Sequence, residues 1–203
     1  AVWLLISHLQ GIRERIRHRK GLGSVLTDLA GNGRSFYGMI LAHLGVAMFI
    51  VGATMVSNFG LEKYVRMSPG DVQEAAGYRF ELLGVQDHLG PNYKAARGHF
   101  KVYEGERQIA ALWPEKRTYF ASAKPMTEAS IDWGFTRDLY VSLGEPVGGK
   151  DWALRIYYKP YVRWIWLGGV LMALGGILAI SDRRYRTARK AARVASRAAT
   201  AKA

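Results

Sequence analysis

Apolar and polar residues follow three different patterns along this chain. Phe36–Phe59 (FYGMILAHLGVAMFIVGATMVSNF) runs for 24 residues without a formal charge, and Trp164–Ile180 runs for 17. Between them, apolar and polar residues alternate with period two. Outside them, arginines dominate. As a helix the first block is about 36 Å long at ~1.5 Å per residue, enough to cross a hydrocarbon core of ~30 Å with some tilt. The second block, counted from Tyr161, is flanked by Tyr161, Arg163, Trp164 and Trp166 at one end and by Asp182–Arg186 at the other. Aromatic and snorkelling basic residues of this kind mark bilayer interfaces. Both blocks are expected to be transmembrane helices, over 35–59 and 161–181. Ala1–Leu9 (AVWLLISHL) is expected to be the last turns of another.

The alternating region predicts strands. Tyr78, Phe80 and Leu82 share one face of YRFEL, and HFKVYEGERQIAAL reads as two strands around Glu104-Gly105-Glu106. Leu139, Val141 and Leu143 alternate in DLYVSL, as do Trp152, Leu154, Ile156 and Tyr158 in WALRIYY. Period two is the signature of a half-buried strand, and Gly90-Pro91 and Gly148-Gly149 punctuate the gaps. Residues 60–160 are therefore expected to form an antiparallel β-domain of five or more strands. The fold class that follows is a membrane protein, an α-helical bundle fragment of two transmembrane helices plus the end of a third, with an external β-domain.

Charge sets the orientation. The chain of 203 residues carries a net charge of +13, concentrated in the flanks. Gln10–Lys20 holds Arg13, Arg15, Arg17, Arg19 and Lys20 against one Glu14, and Arg183–Ala203 is basic with no acid. The positive-inside rule puts the loop 10–34 and the tail 182–203 in the cytoplasm, and 60–160 outside, in a bacterial periplasm. Basic flanks beside membrane spans are explained by orientation and anionic lipid, so no nucleic acid partner is inferred. The chain has no cysteine, which excludes disulfides, thiolate metal sites and a Cys nucleophile. The blunt apolar start predicts the C-terminal piece of a larger protein.

Candidate chemistry centres on His43. It shares a helical face with Met39, Ala47, Ile50 and Thr54, nearly opposite a stripe of Gly38, Gly45 and Gly52. A histidine at this depth either hydrogen-bonds a neighbouring helix or, as a neutral imidazole, ligates a metal or haem iron. The second span has no titratable group in its apolar part and reads as structural. In the β-domain, His88 and His99 fit no zinc spacing. Glu115 with Glu128 and Asp132 with Asp138 could pair as acid and base, but read as a solvated or salt-bridged surface. PEKR at Pro114–Arg117 and Arg137-Asp138 read as structural ion pairs in preference to a clamp for a propionate or an acidic partner.

Longer motifs add to this. AHLG at Ala42–Gly45, VRMSPG at Val65–Gly70, GPNY at Gly90–Tyr93 and PEKRTY at Pro114–Tyr119 are followed in order by MTEASID at Met126–Asp132, RDLYVSLGEP at Arg137–Pro146, KPYVRWIWLGG at Lys159–Gly169 and DRRYR at Asp182–Arg186. From Ser35 to Arg186 the chain resembles the C-terminal part of the CcmF family, the membrane haem lyase of bacterial cytochrome c maturation. The resemblance implies an inner-membrane protein that takes haem from a periplasmic haem chaperone and helps attach it to the CxxCH cysteines of apocytochrome c. It works with other maturation subunits in the lipid bilayer. It also implies a haem b within the membrane, with the histidine of AHLG, His43, as one axial ligand of the haem iron. The second axial ligand and the external haem-handling residues would lie outside this chain, so this piece alone is expected to be inactive as a lyase. The alternative is a non-catalytic membrane scaffold that recruits assembly partners through its β-domain. Haem content separates the two.

Overall fold

The computed structural model describes residues 33–122 and 124–182, together with the isolated helical positions Trp3, Ile6 and Gln10. The expected end of a span over 1–9, the basic loop 10–34 and the tail 182–203 lie almost wholly outside the described residues, as do His8 and His18. The described elements are a helix α1 (Arg34–Phe59), ten strands, and a helix α2 (Val162–Ile180). The chain divides into two compact units, one of 1–51 with 164–203 and the other of 52–163.

In the first unit, α1 and α2 are both long and apolar enough to cross a bilayer. They meet through glycine. A Cβ on Gly45 would lie 2.6 Å from the carbonyl oxygen of Gly168, and one on Gly175 would lie 2.5 Å from the amide nitrogen of Ala42. Gly38 and Gly168 are equally closed by backbone of the opposing helix. The stripe of glycines thus lets two backbones approach, as in membrane helix pairs. At one end of the pair, the Asp182 carboxylate accepts the Ser35 N–H at 3.0 Å, which occupies one of the amides left open at the start of α1.

The second unit is a pair of antiparallel sheets. One has the order β1 (Leu61–Met67), β10 (Asp151–Pro160), β9 (Arg137–Gly148), β8 (Ser130–Trp133). The other has the order β2 (Val72–Ala75), β3 (Tyr78–Leu89), β4 (Tyr93–Glu104), β6 (Glu115–Tyr119), β7 (Pro125–Glu128), with β5 (Arg107–Leu112) also paired to β4. Alternation makes one face of each strand apolar, and those faces share a core. Met67, Leu139, Val141, Leu143, Leu154 and Ile156 come from one sheet, and Phe80, Leu82, Phe100, Val102 and Leu112 from the other. The β4–β5 turn carries Gly105 at φ +59, a left-handed conformation that glycine adopts without steric cost.

Candidate functional site

His43 stands on α1, half-buried, with its Nδ1 inside the protein. The helix forms because nothing from Phe36 to Phe59 breaks it: there is no proline, and Gly38 and Gly45 serve the helix contact. Because the contact uses Gly38 and Gly45, the opposite face carries His43 between the exposed side chains of Met39 and Ile50. Among the described residues of α1 and α2 it is the only imidazole. An imidazole with no carboxylate on its helical face is a side chain able to ligate a haem iron. Ligation by two imidazoles would require a second histidine from elsewhere.

The other two described histidines do not join it. His99 on β4 stacks on Trp113 with ring centroids 3.7 Å apart. His88 on β3 lies 6.4 Å from the Tyr93 ring. No three His, Asp or Glu side chains among the described residues converge as metal ligands.

The charged residues of the sandwich form ion pairs. Glu115, 4% exposed, accepts from Arg97 and, at 2.6 Å, from Arg117. Burial by itself would raise its carboxyl, but the hydrogen bonds from Arg117 and Arg97 outweigh it, so the carboxyl stays below the usual Glu range. The same bond to Glu115 holds the Arg117 guanidinium above its ordinary value. Glu128, opposite Glu115 in the β6–β7 register, lies 3.7 Å from Arg117. Lys116 points away from these and meets Glu145. Asp132 is bound by Arg137. Asp138 is buried and accepts from Gly134 N–H at 3.1 Å and from Arg163 Nε at 3.0 Å. The sequence reads Arg163 as a snorkelling side chain; its guanidinium is instead held by this carboxylate. None of these carboxylates pairs with another as acid and base.

Comparison with known proteins is consistent with this arrangement. The family profile described as the CcmF C-terminal beta-sandwich matches residues 58–160. The cytochrome c-type biogenesis protein CcmF of Pseudomonas aeruginosa is 46% identical over 186 residues, covering 92% of this chain and 28% of that protein. CcmF of Escherichia coli is 46% identical over 152 residues, covering 75% of this chain and 24% of that protein. The chain thus spans about a quarter of the length of these curated relatives. A solved structure titled cytochrome c heme lyase CcmF is similar in fold, with a TM-score of 0.63 at 19% identity over 89% of this chain and 34% of that one.

Proposed function

We propose, from the premise that this chain belongs to the CcmF family of cytochrome c-type biogenesis proteins, that it is the C-terminal part of a membrane haem lyase. In this reading α1 and α2 cross the bacterial inner membrane and the sandwich stands in the periplasm. The whole protein receives haem from a periplasmic haem chaperone and helps join it to the CxxCH cysteines of apocytochrome c. This chain supplies His43 as one axial ligand of a haem b within the membrane. The chemistry such a group would supply there is one-electron reduction of the incoming haem iron. The chain's own work is to present an imidazole at a fixed position along α1, because the contact through Gly38 and Gly45 leaves His43 on the other face of the helix. The observation that carries the reading is the single imidazole on two bilayer-length helices, in a family named for cytochrome c biogenesis.

Purified full-length protein tests it. His43→Ala is expected to deplete haem or weaken the reduced α-band, with cytochrome c assembly falling in parallel and imidazole restoring part of the absorbance. Insertion should continue, because Ala is tolerated in hydrocarbon. His88→Ala and His99→Ala should keep the normal spectrum. Full and unshifted haem absorbance in His43→Ala would return His43 to a packing role.

A further inference from the structure

At the junction of β10 with α2, two large aromatic side chains are exposed on a turn that is tied to the helix. Trp133 ends β8, and Phe135 lies in the turn that leads into β9. They are 69% and 63% exposed. The turn is held from several sides. Arg137, the first residue of β9, pairs in register with Pro160, the last of β10. The Tyr161 N–H donates to the carbonyl of Thr136 at 2.8 Å. The Asp138 carboxylate binds the Gly134 N–H and the Arg163 guanidinium together. That guanidinium also lies 4.7 Å from the centre of the Trp133 ring. Asp138 and the Tyr161 amide therefore tie the turn to the segment Tyr161–Arg163, from which the chain runs on into the apolar stretch that starts at Trp164.

We propose that this turn is a lipid anchor, with Trp133 and Phe135 seated in the interfacial layer of the leaflet that α2 enters. The inference rests on the reading that α2 spans the bilayer. Its physical basis is the matching of side chain to depth. An exposed pair of rings loses little by leaving water, while the boundary layer accepts their apolar faces and keeps the indole N–H hydrated. The cation over Trp133 is already neutralised by Asp138, so no isolated charge is carried towards hydrocarbon. Lipid is favoured as occupant because the residues that hold the turn, Tyr161 and Arg163, lead directly along the chain into an apolar run that opens with Trp164 and Trp166.

Single cysteines in a cysteine-free full-length protein, spin-labelled and placed in phosphatidylcholine nanodiscs, test this directly. Phe135→Cys and Trp133→Cys are expected to collide more often with oxygen than with a water-soluble nickel chelate. Lys150→Cys precedes β10, which is 10 residues long, or about 33 Å at the usual rise of a strand. Its label should show the inverse ratio. Labels at 133 and 135 that favour nickel, or that are shielded from both reagents because protein covers them, overturn the anchor. Leu174→Cys, on an exposed face of α2, separates the two levels. If nickel reaches Leu174, the span itself fails and the anchor with it. If Leu174 favours oxygen while Phe135 favours nickel, only the anchor fails.

Discussion

The sandwich and the helix pair are built on opposite rules. In the sandwich the buried side chains are the large ones: Phe80, Phe100, Leu82, Leu139, Leu154 and Ile156 are fully enclosed. In the helix pair the enclosed positions are Gly38, Gly45, Ala47, Gly168 and Gly175, while Ile50, Val170, Leu174 and Ile177 are exposed. Water drives the first arrangement, since apolar area removed from it contributes about 25 cal/mol per Å². If α1 and α2 span the bilayer, hydrocarbon offers no such drive, and close backbone approach takes its place. The same residue type therefore has a different meaning in each unit.

The largest effect that sharpens this contrast is expected in the sandwich core. Phe100→Ala should lose about 3–5 kcal/mol, the usual range for a buried aromatic. Urea unfolding of the segment 60–160, which has its own core, reads it. A loss near zero would mean that this core does not hold the domain together. Next comes the helix contact, where the expectation reverses: adding an apolar side chain should destabilise. Gly45→Leu would press a side chain onto the Gly168 carbonyl and Met172. A cost towards the upper end of about 1–3 kcal/mol is expected for such overpacking, measured by unfolding the full-length protein in mixed micelles. Unchanged stability would show that the two helices do not rely on this approach.

Much of the sandwich was legible in the sequence because its strands are half buried. Phe80 and Leu82, Leu139 to Leu143, and Leu154 with Ile156 fall on the core faces that period two predicts. The glycine stripe was legible for the same kind of reason, a spacing that returns to one helical face. That the charged residues form ion pairs was legible, but their partners were not. Neighbours Arg137 and Asp138 look like a pair along the chain, but successive strand residues point to opposite faces. Asp132 takes Arg137, and Asp138 takes Arg163, 25 residues away. Glu115 looks solvated within EKRTY, and it is buried because the β4–β6 register sets Arg97 opposite it. Such pairings are fixed by register, which no local pattern reveals.

Acid tests that buried carboxylate, with a smaller effect than either core change. Because the folded Glu115 carboxyl lies below its ordinary value of about 4.5, its pairing stabilises the fold fully above that pH. The contribution is lost as pH falls through the folded value. The urea midpoint of the sandwich should decline below about pH 4.5, and Glu115→Gln should start lower and flatten that part of the decline. An identical acid profile in Glu115→Gln would assign the sensitivity to other carboxylates.

The smallest expected effect is the most direct comparison of the two units, because one chemical change is made in both. Leu154 is fully enclosed in the sandwich, and Leu174 on α2 is 50% exposed. Leu154→Ala removes methyl groups from a packed core and leaves a cavity, so a loss of about 2–5 kcal/mol is expected. Leu174→Ala removes the same atoms from a face that, if α2 spans the bilayer, meets acyl chains. Acyl chains are as apolar as leucine and flow into the space, so neither a transfer loss nor a cavity follows. The change should stay within about 0.5 kcal/mol, as at an ordinary surface position, in micelle unfolding of the full-length protein. A loss above about 2 kcal/mol at Leu174, the range of a core truncation, would mean that another part of the protein packs on this face. The outward-facing apolar residues of α2 would then form a helix–helix interface, and the contrast between the two units would hold only for the glycine side of the pair.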